Sequence, residues 1–300
     1  MDMTQNKCCR HGASLRRRRR RRRKILCFII FSCSIIAVAV FVAVGSSMIR
    51  SGDGRTNRYD VEAGNNTYDN AVIENSKISE NNKIQNEQSM LDDIMNSTQY
   101  PKQLQELALK NEEALEFVYD YPAEHVKEHT IDLTEEASMD SVPLFVQWDK
   151  RWGYEKYSGN FFAASGCGPT TLSMVVVYLT HNREASPIAV AKYSKEAGYS
   201  VDGSGSSWTL ISEGCMHYGV KAKAVALDES RMKAELDEGH PIVVNVGPGD
   251  FTDTGHFMVI TGYDDEGFSI NDPNSIEKSG KRWLFRNISS QIRAVWSMYV

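Results

Sequence analysis

The chain has 300 residues, of which 24% are charged, and its net charge of −5 conceals a strong asymmetry. Residues 1–24 carry eleven basic side chains against one acidic side chain, a net of +10, so the remaining residues carry −15. Of the six cysteines only Cys167 and Cys215 lie beyond residue 44, which excludes a small disulfide-rich domain.

An uncharged segment of 20 residues, 25–44, follows the basic tail. That length is sufficient for a helix to span a bilayer. Lys24 and the eight arginines at 16–23 precede the segment directly, whereas only Arg50 follows it closely. The positive-inside rule then predicts a cytoplasmic tail over 1–24, a single-pass membrane anchor over 25–44 and an extracellular location for the rest of the chain.

Two other interpretations of this region compete. A cleaved signal peptide would have a shorter apolar region of about 7–15 residues, and Ala43, Val44 and Gly45 form a poor cleavage site. The arginine run is also typical of nucleic-acid binding. Its position directly before an apolar span favours contact with anionic lipid, so we predict a membrane partner and no nucleic-acid partner.

The next two segments differ in composition. Residues 45–98 are polar with few large apolar side chains, which predicts a disordered stalk. Between residues 101 and 121 apolar residues recur at helical spacing among charges, until Pro122 ends the pattern. Segment 99–141 is therefore predicted to form one or two short amphipathic helices that dock on the following domain, and then an acidic linker.

A compact domain is predicted over 142–300. Helical patterns occupy 169–181, 187–197, 207–218 and 229–238, and strand patterns follow at 241–246, 257–261, 268–271 and 283–286. Helices first and strands afterwards indicate an α+β fold. Metal-binding and phosphate-binding motifs are missing from the sequence, so we predict no metal and no cofactor.

Cys167 is the candidate nucleophile. It lies between two glycines, and Pro169 is tolerated in the first turn of the predicted helix because its missing N–H would be unpaired there. A helix N-terminus stabilises a thiolate and lowers the pKa of the thiol. The competing interpretations are a small core residue at a tight turn and a disulfide to Cys215, which would consume the thiol; Cys215 itself is predicted to be core.

A cysteine nucleophile needs a base, and the base needs an orienting group. His256 begins an apolar strand, and residues 264–267 are typical of a hairpin turn that sets Asp272 roughly opposite His256. Side chains alternate between faces, so a small shift of register would separate the pair. Asn271 is the reserve candidate, and the alternative is an ordinary strand histidine with a turn aspartate.

Acyl transfer also needs hydrogen-bond donors for the developing oxyanion. The backbone N–H of Cys167 is one candidate. Gln147, on a predicted strand that enters the domain, is a second candidate, against the alternative of a polar residue that merely alternates along a strand.

Three stretches in this order resemble the stand-alone members of family thirty-nine of the cysteine peptidases, which are related to the enzymes that cut double-glycine leaders from bacteriocin precursors. They are PLFVQWDKRWGYEKY, SGCGPTTLSMVVVYLT and PGDFTDTGHFMVITGYDDEGFSINDPNS. The resemblance implies a papain-like fold with a helical lobe and a β lobe, and a Gram-positive bacterial source. It also implies Cys167 as nucleophile, His256 as general base, Asp272 as orienting residue and Gln147 as oxyanion donor.

The expected function is a cell-surface cysteine peptidase that acts on peptides. The leader-cutting enzymes work in the cytoplasm, whereas the charge pattern here places the domain outside, so only the chemistry is carried over. A surface peptide-binding module without turnover, or a transamidase that uses the same triad, would carry the same residues. Nothing in the sequence fixes an oligomeric state.

Overall fold

A computed structural model describes the backbone of residues 66–300, with side chains from residue 79 onward. The predicted basic tail, the predicted anchor over 25–44 and the first part of the predicted stalk lie outside these residues. Among the helices described, none has the length and apolar character that crossing a bilayer requires.

The first element is a helix where the sequence indicated a disordered stalk. Helix α1 runs over Asn66–Asn96 and contains neither proline nor glycine. Its C-terminal end is anchored because Ile94 is fully buried and Met90 and Leu91 pack beside it against the next helices. The stalk prediction is therefore wrong over 66–96, since a few apolar residues at helical spacing gain burial from a neighbouring segment.

Short helices follow in the segment before the domain. They are α2 (Lys102–Lys110), a 3₁₀ turn (Glu112–Ala114), α3 (Leu115–Tyr119) and α4 (Tyr121–Glu124), and Pro122 lies in the first turn of α4 rather than ending a helix. Their apolar side chains form one cluster with Phe161 and Ala163 of the following domain. A second 3₁₀ turn (Glu136–Ser138) lies in the acidic linker, where Leu133 and Ala137 are buried.

The first half of the domain is mainly helical. Its elements are β1 (Lys156–Tyr157), β2 (Asn160–Phe161), α5 (Phe162–Ser165), α6 (Cys167–Thr180), α7 (Pro187–Glu196), β3 (Ser200–Val201), β4 (Gly205–Ser206), α8 (Thr209–Ser212) and a 3₁₀ turn (Gly214–Tyr218). Helix α6 is buried over ten consecutive residues from Gly168 to Val177, as expected of an apolar run at the centre of a lobe.

The second half is a sheet flanked by short helices. Its elements are β5 (Lys221–Ala224), α9 (Glu229–Asp237), β6 (Ile242–Val246), β7 (His256–Asp264), β8 (Gly267–Asn271), α10 (Ile276–Ser279), β9 (Arg282–Trp283), α11 (Phe285–Ile288) and β10 (Ile292–Tyr299). Six of the strands form one antiparallel sheet in the order β5-β10-β6-β7-β8-β9. The α+β prediction is confirmed.

Three local predictions are wrong. Strands β5 and β10 were not predicted, although β10 lies between β5 and β6 inside the sheet. The predicted strand over 283–286 covers only the last residue of β9 and then the start of α11. Gln147 is not on a strand. Its backbone N–H donates a hydrogen bond to Pro273 O at 2.7 Å, but this bond is not part of a β-sheet.

Apolar residues cover both faces of the sheet. Val243, Val259 and Trp296 belong to a core shared with α6, whereas Val244, Met258 and Ile270 belong to a second core on the opposite face. Because α6 packs against β7, the first residue of the helix lies close to the first residue of the strand. This packing positions Cys167 beside His256.

Candidate active site

Cys167 is the first residue of α6, directly after Gly166. Its side chain is half-buried, and its thiol is free, as is that of Cys215. Gly168 is required beside it because a Cβ there would lie 2.6 Å from Ser206 Oγ. The glycines flanking the cysteine therefore allow close packing around a thiol at a helix N-terminus.

His256 is the first residue of β7, opposite Val246 of β6, and it is 6% exposed. Its Nε2 lies 2.6 Å from Asp272 Oδ1. The Cys167 thiol lies beside the same imidazole, close enough for each group to shift the pKa of the other. Since Nε2 already contacts the carboxylate, Nδ1 is the ring nitrogen left to face the thiol. The imidazole thus connects the thiol and the carboxylate.

Asp272 completes this chain of contacts. It is fully buried at the end of β8, and its Oδ1 also accepts a hydrogen bond from the backbone N–H of Asn274 at 2.8 Å. Asn271, the reserve candidate, turns away: its Nδ2 donates to Val142 O at 3.0 Å and to Pro143 O at 3.1 Å. Asp272, and not Asn271, therefore contacts the imidazole.

The electrostatics of the site favour a thiolate beside an imidazolium. Burial acts to raise the pKa of the Cys167 thiol, but the hydrogen bond and charge of His256, with backbone hydrogen bonds from Phe257 and Gly168, outweigh it and lower that pKa. Burial acts to lower the pKa of His256, and the charge and hydrogen bond of Asp272 reverse this and raise it well above the usual range. Cys167 adds to the rise in the pKa of His256, so each of the two charges also stabilises the other.

Gln147 lies close to the chain segment that precedes the cysteine. It is 4% exposed, and its Nε2 donates to Ala163 O at 2.7 Å, four residues before Cys167. One N–H of its amide is thereby used and the second is free of protein partners among the described residues. The structure gives no hydrogen bond between Gln147 and Cys167, His256 or Asp272 within residues 79–300.

The comparison with protein families identifies the family of the chain. The model of the Peptidase_C39 like family matches residues 139–300, more than half of the chain, and the match includes all four candidate residues. The chain belongs to this family. The predicted membership of family thirty-nine of the cysteine peptidases is confirmed.

Two solved structures are similar to this C39-like chain. The first is the peptidase domain of Streptococcus ComA, a bifunctional ABC transporter involved in a quorum-sensing pathway, with 20% identity, a TM-score of 0.36 and coverage of 45% of this chain and 90% of that one. The second is a putative C39-like peptidase from Bacillus anthracis, with 16% identity, a TM-score of 0.34 and coverage of 53% of this chain and 95% of that one. None of the curated proteins matches the chain.

A cleft with a volume of about 710 Å³ lies beside Cys167 in this C39-like domain. Apart from Cys167, the residues that line this cleft were not predicted from the sequence. They include the hairpin β3–β4 and Trp208, which is 48% exposed. The hairpin is fixed to the β1–β2 turn because Gly203 N donates to Ser158 O at 2.9 Å and Gly205 N donates to Ser158 Oγ at 3.0 Å. The Gly-Ser repeat at 203–206 was the available signal, since it is typical of a tight turn.

The remaining histidines beyond the N-terminal region lie away from this chain of contacts. His181 directly follows α6 and its Nδ1 lies 2.8 Å from Ala137 O, and His217 stacks on Tyr193 with ring centroids 4.0 Å apart. His240 forms a cluster with Glu235 and Glu238 that has metal-ligand spacing. Glu235 in that cluster already accepts hydrogen bonds from Lys223 Nζ at 2.8 Å and Ser297 Oγ at 2.7 Å, so its carboxylate is engaged within the protein.

Proposed function

We propose that this protein is a cysteine peptidase that hydrolyses peptide bonds with Cys167, His256 and Asp272 as its catalytic triad, in a papain-like arrangement of a helical and a β lobe. The single observation that carries the proposal is the unbroken chain of contacts from the Cys167 thiol through His256 to the Asp272 carboxylate, at a helix N-terminus and beside a cleft. A buried structural cysteine has no need of such partners.

In the first half of the reaction the Cys167 thiolate attacks the carbonyl carbon of the substrate. The negative charge that develops on the carbonyl oxygen is stabilised by the backbone N–H of Cys167 and the free N–H of the Gln147 amide. His256, as imidazolium, gives its Nδ1 proton to the leaving amine, and the carbon–nitrogen bond breaks. The products of this step are an amine and a thioester on Cys167.

In the second half neutral His256 takes a proton from water, and the resulting hydroxide attacks the thioester. The carbon–sulfur bond breaks, a carboxylic acid leaves and the thiolate–imidazolium pair is restored. Asp272 accepts the hydrogen bond from the imidazole and holds the ring with Nε2–H toward its carboxylate. Burial of Asp272 supports this role, because the charge acts on the imidazole with little screening by solvent.

The location of the enzyme is part of the proposal. The basic tail and the uncharged segment 25–44 support a single-pass anchor with the peptidase domain on the cell surface. Peptides outside the membrane would then be the substrates, and the cleft beside Cys167 supports their binding next to the thiol.

A thiol-directed peptide electrophile tests the proposal on intact cells that produce the full chain. We expect Cys167 to be labelled faster than Cys215, and the labelling to require His256. Equal labelling of the two cysteines, or full labelling in a His256→Ala variant, would contradict it. A Cys167→Ala protein that keeps its full cellular function would instead favour a surface peptide-binding module, and conjugates formed with added amines would reveal transamidation.

A further inference from the structure

The helical segment before the family region reaches across to the turn that carries the triad carboxylate. This turn spans residues 272–277, from Asp272 to the first residues of α10, and is called the carboxylate turn below. The segment of α2, the 3₁₀ turn and α3 lies outside residues 139–300, which the family model matches. Its contacts with the carboxylate turn are polar and directional.

Glu113 makes three of these contacts with a single carboxylate. Its Oε2 accepts from the backbone N–H of Ile276 at 2.7 Å and of Glu277 at 3.0 Å. Its Oε1 accepts from Ser275 Oγ. Hydrogen bonds to an ionised acceptor are stronger than those between neutral groups, so Glu113 holds the start of α10 firmly.

Asn111 holds the residue in the middle of the turn. Its Nδ2 donates to Asn274 O at 2.9 Å and to Asn274 Oδ1 at 3.1 Å, while its own Oδ1 accepts from Glu113 N at 3.1 Å. The backbone N–H of the same Asn274 donates to Asp272 Oδ1, the oxygen that contacts His256. One residue therefore separates the upstream segment from the triad carboxylate.

We propose that Glu113 and Asn111 are positioning residues of the active site: they fix the carboxylate turn, and through it the orientation of Asp272 toward His256. The inference rests on the proposed function. An outer partner of a catalytic carboxylate restricts its rotation, and loss of such a partner typically costs about 10-fold to 100-fold in activity at metal sites, where this has been measured. The helical segment before residue 139, where the family match begins, then contributes to the geometry of the active site.

The test compares Glu113→Ala with Glu112→Ala in the full chain. Glu112 is the matched control because it lies in the same 3₁₀ turn, is exposed and makes no side-chain hydrogen bond in the described part of the chain. The readout is the rate at which iodoacetamide alkylates Cys167 as a function of pH, followed by mass spectrometry of the Cys167 peptide, with the Cys215 peptide as internal reference. Thermal unfolding is recorded for each variant.

We expect Glu113→Ala to slow alkylation of Cys167 near pH 6 by about tenfold, because a displaced Asp272 no longer stabilises the imidazolium that keeps the thiol ionised. The rising limb of the pH profile should move to higher pH, which a purely structural contact would not cause. Glu113→Gln keeps one accepting oxygen and should restore part of the rate. Glu112→Ala should match the wild type.

Equal profiles for folded Glu113→Ala and Glu112→Ala would overturn the inference and leave the proposed function standing. If Glu113→Ala unfolds, Asn111→Ala takes its place with the same expectation, and a wild-type profile there would overturn the inference as well. A wild-type Cys167 that is no more reactive than Cys215 would instead remove the proposed function itself.

Discussion

Asp272 contacts His256 because β7 has one extra residue where it pairs with β8. On the side of Thr261 nearer the hairpin turn, Gly262 lies opposite Ser269. On the other side of Thr261, Ile260 lies opposite Ile270, and Val259 lies opposite Asn271. Thr261 is therefore a bulge, which shifts the pairing by one residue. Since side chains alternate, the bulge puts Asp272 instead of Asn271 on the side of His256, and the 2.6 Å contact follows.

Substitution of the two neighbouring residues should have different effects. Asp272→Ala removes the charge that raises the pKa of His256, so we expect turnover to fall about 100-fold. Asn271→Ala removes two hydrogen bonds to the carbonyls of Val142 and Pro143, so it should lower the free energy of unfolding by about 1–3 kcal/mol. Its turnover per folded molecule should stay close to that of the wild type.

Steady-state kinetics and chemical denaturation of both variants check this prediction. A large loss of turnover in Asn271→Ala with wild-type kinetics in Asp272→Ala would reverse the assignment of the third residue.

The pH dependence of the thiol follows from the paired charges. The lowered pKa of Cys167 and the raised pKa of His256 predict that the thiolate–imidazolium pair exists across the neutral range. Alkylation of Cys167 should therefore rise with pH on the acid side of neutrality and then level off. Hydrolysis should rise with pH on the acid side in the same way, because it needs the same thiolate, and it should fall again on the alkaline side, where the imidazolium loses the proton that the leaving amine requires.

Cys215 is the internal control for that experiment, since burial raises the pKa of its thiol to about 11 and it should stay unreactive throughout. In a His256→Ala variant the pH at which alkylation of Cys167 is half-maximal should rise to that of an ordinary thiol. A wild-type protein whose half-maximal pH is already that of an ordinary thiol would show that no ion pair forms.

Substitution of Gln147 should slow peptide hydrolysis without changing the reactivity of the Cys167 thiol. Loss of one oxyanion donor typically costs about 100-fold to 1,000-fold in kcat, so Gln147→Ala should lose activity on that scale. Alkylation develops no oxyanion, so the rate at which iodoacetamide modifies Cys167 should be unchanged. If both rates fall together, Gln147 acts by holding Ala163 and the segment before Cys167.

Gly168 should be intolerant of a side chain. A Cβ at this position would lie 2.6 Å from Ser206 Oγ and 2.8 Å from Ser206 Cβ, in the hairpin that lines the cleft. Gly168→Ala should therefore lower the free energy of unfolding by about 1–3 kcal/mol through overpacking. A Gly168→Ala/Ser206→Gly double variant should recover part of this loss in denaturant titrations, and strictly additive losses would contradict the proposed clash.

Local patterns predicted much of the domain, and long-range contacts explain what they missed. The apolar run after Cys167 and the turn at 264–267 were sufficient to predict α6 and the β7–β8 hairpin. The bulge at Thr261 has no local signature, so the sequence could only place Asp272 and Asn271 as alternatives. Strand β10 was missed because its neighbours are β5 and β6, and its own residues do not alternate cleanly.

The sequence was sufficient to predict the residues of the candidate site, but not the upstream residues that hold them in position. A cysteine between glycines before a helix and a histidine at a strand start are local features, and the described structure brings the two side chains together. The hydrogen bonds that Glu113 accepts from residues 275–277 join positions more than 160 residues apart in the sequence. Local residue spacing cannot predict a contact at that separation.

Peptide-bond hydrolysis by Cys167 can be measured as cleavage of a peptide library by the full chain, wild type against Cys167→Ala. We expect the wild type to produce new peptide termini and the Cys167→Ala protein, folded to the same degree, to produce none. Cleavage that persists in the Cys167→Ala protein, or a wild type that binds the peptides and leaves all of them intact, would contradict this expectation.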